Sequence, residues 1–276
     1  MLTLTNLSNA DCDVEIVLQN SADTLPTLLR VHELDGIEFM LCAPWDRTMF
    51  PADYIKGVHL LFWPSWLDFW RGDKAALLAE FGTEENIRAY YGSLDVDDWV
   101  ESWKENLRQA ATCRPQYLVF HVAHNVTSEM YTREFAHTDE EVVEGTIELV
   151  NEIAAEIPQG VRLLFENLWW PGLTFRRLDL AERLVTRSKH PNCGFMLDTG
   201  HLMCTDLDLI NEQEGVDFVV AAYEALGSLK EKVYGLHLHQ SLSGAYVRAM
   251  REAHQGERWP AEIGEIMDYI ARVDWH

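Results

Sequence analysis

The stretch from Arg162 to His201 decides the architecture of this chain. It opens on Arg162-Leu163-Leu164-Phe165-Glu166-Asn167, an apolar run that ends in a carboxylate. From Phe175 to Thr186 apolar residues recur at helical spacing. The stretch closes on Gly194-Phe195-Met196-Leu197-Asp198-Thr199-Gly200-His201, a second apolar run with an acid at its end. Strand, helix and strand in this order form a parallel βαβ unit, and near-continuous apolar runs are what strands covered on both faces require.

The same alternation extends in both directions. Further strands are expected at Leu2–Asn6, Gly36–Cys42, Val58–Phe62, Tyr117–Val122 and Val233–His239, with the central pair at Arg162–Asn167 and Gly194–Asp198. Helical spacing marks Asp97–Thr112, Asp139–Ile157, Val216–Leu229 and Pro260–Val273. Asp13–Gln19 fits either a strand or the opening of a first helix before Thr24–Glu33, and the helix is the preferred reading. An insertion rich in aromatics and charges, Ser65–Gly92, separates the third strand from its helix, and loops of that length often carry function. No fixed-period repeat interrupts the pattern, which argues against a solenoid.

The 276 residues match the size of one α/β barrel, about 250 residues, so a single domain spanning 1–276 is expected. The predicted fold is a (β/α)8 TIM barrel. Only seven strands can be counted, with the eighth missing or truncated at the C-terminus, although closure of a barrel needs it. The net charge of −23 repels phosphate backbones and anionic membranes and disfavours a nucleic-acid partner. Five cysteines without paired spacing fit a reduced, cytoplasmic compartment. No export signal or membrane span is read.

Ionisable side chains recur where these strands end: His59, His121, Glu166, Asp198 with His201 just beyond, then His237 and His239. That end is where barrels place their active sites. Imidazole nitrogen and carboxylate oxygen are ligands for divalent zinc, manganese or cobalt, and a carboxylate or imidazole closing an apolar strand needs a partner for its desolvated charge. Any one of these histidines alone reads more simply as a core or rim residue; the set at matching strand ends points to a metal site. In Gly235-Leu236-His237-Leu238-His239 alternation puts both histidines on one face, so that one can bind metal and the other substrate.

These motifs resemble the xylose-isomerase-like barrels, a superfamily that includes sugar isomerases and epimerases, inosose dehydratase and endonuclease IV. The resemblance runs from about Gly36 to Val273 and is sharpest around Glu166, Asp198/His201 and His237/His239. It implies that Glu166 and Asp198 bind metal together with a histidine of the seventh strand, here taken as His239. It further implies that His201 meets substrate or an additional metal, and that His59 and His121 match the histidines endonuclease IV adds for its polynuclear zinc site; with His239 taken as ligand, His237 is assigned to substrate. Two departures stand out: no eighth strand supplies the final metal-binding glutamate, and Gln240-Ser241-Leu242-Ser243-Gly244 stands where endonuclease IV carries an Asp-x-His pair.

Trp45, Trp63, Trp66, Trp70, Trp169 and Trp170 follow candidate strands on the presumed active-site side. Trp63 and Trp169 are candidates for stacking on sugar C–H faces, and the alternative is a hydrophobic cap on the barrel mouth. Asp139–Glu144 reads as solvated surface, and Lys56, Arg248, Arg251 and Arg258 are the nearby cations for a phosphate or carboxylate. The expected activity is a divalent-metal-dependent isomerase or epimerase acting on a small polyhydroxy carbonyl compound through an enediolate, with Glu166 and His201 as catalytic groups. The alternatives are a zinc phosphodiesterase and a non-catalytic metal- or carbohydrate-binding barrel; a homo-oligomer is left open.

Overall fold

A computed structural model describes residues 1–239, 242 and 244–253. Seven strands form one parallel sheet in sequential order: β1 (Leu4–Ser8), β2 (Gly36–Met40), β3 (Ile55–His59), β4 (Tyr117–His121), β5 (Arg162–Glu166), β6 (Cys193–Asp198) and β7 (Val233–His237). Such sequential parallel pairing needs a crossover between each pair, and helices supply most of them. They are α1 (Thr24–Val31), α2 (Leu67–Arg71), α3 (Lys74–Phe81), α4 (Glu84–Tyr91), α5 (Val96–Thr112), α6 (Thr127–Thr132), α7 (Asp139–Ile153), α8 (Leu178–Arg187), α9 (Thr199–Met203), α10 (Glu212–Ala225) and α11 (Gly244–Ala253). Asp13–Val17 is a π-helical turn and not a strand.

The sheet curls. Glu38 of β2 and His237 of β7 lie five strands apart in pairing order, yet their side chains meet at 2.9 Å. Among the described residues no strand stands between β7 and β1, and the predicted helix Pro260–Val273 lies outside them.

Helix α8 illustrates why the outer layer holds. Its helical spacing turns Leu180, Ala181 and Leu184 inward to full burial, and each leucine removed from water contributes about 1.5–3 kcal/mol. The insertion after β3 is α2, α3 and α4, capped where Asp73 accepts from the Ala75 and Ala76 amides and Thr83 from that of Asn86. Its aromatic residues are core: Phe69 stacks on Tyr91 at 3.9 Å between centroids, and Phe69 and Tyr91 meet Trp99 of α5 edge-on.

Two expectations change with the coordinates. Strand β3 occupies Ile55–His59, earlier than the predicted Val58–Phe62, because the apolar run Leu60–Trp63 packs beyond the pairing residues. His59 thereby becomes the last residue of its strand. The segment 139–144 is not uniformly solvated either: Asp139 accepts from the Gly172 amide at 3.0 Å and lies 3.3 Å from the Thr174 hydroxyl, tying the start of α7 to the turn after β5.

Candidate metal centre

Register brings the strand-end residues together. His121 pairs laterally with Glu166, and Asp198 with His237; Glu166 lies opposite Met196, so the second pair stands two residues further along the sheet than the first. Glu166 is 1% exposed and sits at the centre. Its Oε2 lies 3.2 Å from His59 Nε2 and 3.1 Å from His121 Nε2, and these two nitrogens are 3.1 Å apart. Its Oε1 lies 2.8 Å from His237 Nδ1 and 3.4 Å from His201 Nδ1.

Asp198 does two jobs. As N-cap of α9 its Oδ1 accepts from the His201 amide at 2.6 Å, which explains the Asp-x-x-His spacing: the cap places His201 one turn on, beside the same carboxylates. Its Oδ2 lies 3.0 Å from His239 Nε2 and 3.6 Å from His237 Nδ1. Asn167 holds the aspartate from behind, accepting from the Asp198 amide at 2.9 Å and donating to its carbonyl at 3.0 Å. Gly200 matters at this point, since a Cβ there would come within 3.0 Å of the His239 ring.

The backbone assigns protons. The Leu60 carbonyl can only accept, so His59 donates to it from Nδ1 at 3.0 Å, and neutral His59 turns a lone pair at Nε2 toward Glu166. His201 likewise donates from Nδ1 to the Asn167 carbonyl at 2.8 Å. Burial pushes the Glu166 carboxyl upward, but His121 and His237 outweigh it and hold the group well below the ordinary carboxylate range. Asp198 is lowered in the same way, with His237 and His239 overcoming burial. Burial lowers His121, whereas for His59 and His237 the neighbouring carboxylates overcome burial and raise the pKa. Imidazoles that release a proton on binding and ionised carboxylates, aimed at one another, are a donor set for a divalent cation. His59, His121 and Glu166 form one group tight enough for an ion, and Glu166, Asp198 and His201 form another.

Glu38 joins this centre without having been singled out from the sequence. It is 2% exposed, and its Oε1 accepts from His237 Nε2 at 2.9 Å. Its signal in the sequence is a carboxylate between Ile37 and Phe39 in the middle of an apolar strand, away from the strand ends. Phe62 also lies at the centre, edge-on to His121 at 4.7 Å between centroids.

The tryptophans divide. Trp169 packs 5.2 Å from His201, centroid to centroid, at the edge of the centre. Trp63 faces Trp99 and Trp103 instead and donates to the Tyr90 carbonyl at 3.3 Å. Trp45, Trp66 and Trp70 spend their indole N–H groups on Phe50, Ala123 and Glu148. Lys56 donates to the Asp53 carbonyl and Arg248 to Leu207 and Asp208, while Arg258 and the side chain of Arg251 lie outside the described residues.

A second cluster, Asp68, His124 and His137, is equally compact. Here His124 Nδ1 accepts from the amides of both Trp66 and Leu67 at 3.1 Å. His137 Nε2 lies 2.9 Å from Asp68 Oδ1, and His124 Nε2 lies 3.7 Å from Asp68 Oδ2.

Comparison with known proteins agrees with the architecture. No match was found among curated proteins. The chain is similar in structure to a 3-keto-D-glucoside 4-epimerase from E. coli in its apo form, at 11% identity over 98% of each chain and a TM-score of 0.47. A probable 3-DHS dehydratase involved in petrobactin synthesis in Bacillus anthracis is similar at 14% identity over 99% of this chain and 90% of that one, with a TM-score of 0.49. A mannonate dehydratase from Streptococcus suis serotype 2 is similar at 10% identity over 86% of this chain and 71% of that one, with a TM-score of 0.50, a likeness of fold. Among the described residues no helix is long and apolar enough to cross a membrane. A family model for the xylose isomerase-like TIM barrel matches residues 34–272, and the chain belongs to that family.

Proposed function

We propose that this protein is a divalent-metal-dependent isomerase or epimerase of a small sugar or related polyhydroxy carbonyl compound. The observation that carries the reading is the convergence of His59 Nε2, His121 Nε2 and Glu166 Oε2 within 3.1–3.2 Å of one another, with the His59 Nδ1–H committed to a carbonyl on the far side of the ring. Three ligand atoms this close together are spaced to share one divalent ion. Family membership and the sugar-modifying enzymes among its structural neighbours support the same reading.

Glu166 and Asp198 would hold the cation, zinc, manganese or cobalt, with His59 and His121 on one side of Glu166 and His237 on the other. His237 is preferred to His239 as the inner ligand, because its Nδ1 faces both carboxylates whereas His239 reaches Asp198 alone and is 30% exposed at its side chain. His239 is then left to meet substrate. A bound divalent ion would polarise adjacent carbonyl and hydroxyl oxygens and acidify the C–H bond between them. Proton transfer through an enediolate falls to Glu166 and to His201, whose Nε2 is the unprotonated nitrogen once Nδ1 donates to Asn167. Trp169 beside His201 offers a flat wall to a sugar C–H face.

The test is solvent-deuterium incorporation into a panel of ketoses, inososes and hydroxypyruvate, with protein loaded with Mn, Co or Zn. Exchange in the wild type that disappears in Glu166→Gln is expected. No exchange in any panel member with any of the metals overturns the reading. A second reading, a zinc phosphodiesterase, draws on the convergence of both His59 and His121 upon Glu166. The net charge of −23 opposes it, and chelator-sensitive incision of an abasic duplex would establish it.

A further inference from the structure

Glu38, Gly57 and Tyr117 stand in one lateral row across β2, β3 and β4. The middle position is a glycine, and any Cβ there would fall 2.1 Å from the Tyr117 ring. The missing side chain lets the tyrosine cross β3 and donate to Glu38 Oε2 at 2.8 Å. The other oxygen, Oε1, accepts from His237 Nε2 at 2.9 Å. On its opposite edge the same imidazole turns Nδ1 to Glu166 Oε1 at 2.8 Å and to Asp198 Oδ2 at 3.6 Å.

We infer that Glu38, held by Tyr117 through the gap left by Gly57, is a positioning residue that keeps the His237 proton on Nε2 and so presents Nδ1 as a metal ligand between Glu166 and Asp198. The inference rests on the proposed metal-dependent function and adds a residue to it. Its physical basis is that a ring ligating a cation through Nδ1 keeps a single proton, while carboxylates on both edges claim it. Without Glu38 the proton moves to Nδ1, where Glu166 accepts it, and the ring ceases to be a ligand. A carboxylate on the far nitrogen prevents this exchange, raises the basicity of the ligating nitrogen and fixes the ring plane. A tie between β2 and β7 with no bearing on the centre is the competing explanation. Glu38 is well suited to either, being buried and charged, so the test must read the metal and not only the fold.

The experiment is Co(II) titration of the full chain, followed by its d–d absorption bands, with thermal unfolding measured on the same samples. Glu38→Gln keeps an acceptor for Nε2–H but loses the charge, and is expected to weaken Co(II) about 10-fold. Glu38→Met removes the acceptor and is expected to weaken Co(II) about 100-fold with a shifted band envelope. Tyr117→Phe leaves Glu38 in place but unheld, and a loss of a few-fold is expected, smaller than for either Glu38 variant. The Gln and Phe variants carry the test should the Met variant fail to fold. Wild-type affinity and bands in Glu38→Gln and Tyr117→Phe, with or without a drop in unfolding temperature, would overturn the inference and leave the proposed function standing. A wild-type protein that binds no Co(II) overturns both.

Discussion

Glu166 with His59 and His121, and Asp68 with His124 and His137, each gather one carboxylate and two imidazoles into a space tight enough for an ion. They differ in what the backbone does to the rings. At the barrel mouth a carbonyl accepts from His59 Nδ1–H, so the nitrogen facing the carboxylate is the one the neutral ring leaves without a proton. In the second cluster two amides donate to His124 Nδ1, so the one proton of the neutral ring sits on Nε2 and points toward Asp68. Burial pushes the His124 pKa down to about 3, which keeps the ring neutral. A cation would meet an N–H there, and binding it through Nε2 would require an imidazolate. The Asp68 cluster is a hydrogen-bonded hub that pins the start of α2 to the segment after β4. Residue type and spacing are common to both; the tautomer separates them.

The comparison breaks most decisively on metal affinity. Glu166→Gln is expected to weaken Co(II) or Zn(II) by more than about 100-fold, beyond the usual cost of losing a supporting group, while Asp68→Asn leaves it unchanged. Equal losses from the two substitutions, read by competition with a chromophoric chelator, would erase the distinction.

Stability inverts the ranking. His124→Ala strands the buried Trp66 and Leu67 amides and opens a void, a cost of about 2–4 kcal/mol. Chemical unfolding would measure it, and the same variant should keep full metal affinity. A neutral effect on unfolding would mean that the two amides find other partners.

The smallest expected effect sharpens the role of the second cluster. His137 is raised above its ordinary pKa chiefly by its bond to Asp68, with burial opposing. Asp68 is lowered because His137 and His124 overcome its burial. The histidine contribution is complete below the ordinary histidine pKa and is lost as pH rises through the raised value. That of the aspartate is complete above the ordinary carboxylate pKa and is lost as pH falls through the lowered value. As pH rises from below the ordinary histidine pKa through the raised one, the wild type should therefore lose stability relative to His137→Gln, by about 0.2–1 kcal/mol. Parallel pH profiles for the two proteins would show that the pair contributes nothing.

Much of the barrel could be read in advance because its signals are local. The Arg162–Glu166 and Cys193–Asp198 runs announce themselves as strands by apolar continuity, and α8 between them by period. The boundary of β3 was misplaced because Leu60 is buried like a strand residue although it follows the strand. Apolar composition reports burial, and burial does not end where pairing ends. Trp63 and Trp169 show the same limit in the site, since both follow apolar runs and only Trp169 packs against a histidine of the centre.

Sequence alone determined the βαβ alternation, the family resemblance and the carboxylates and imidazoles at the strand ends, because each depends on a few neighbouring residues. Tertiary structure decided which of these side chains meet, where their protons sit and that Glu38 belongs among them. Glu38 and His237 are 199 positions apart, and only the register of the strands and the curl of the sheet bring them to 2.9 Å. Backbone carbonyls and amides then choose the tautomers, by hydrogen bonds that form only when the chain has folded around them.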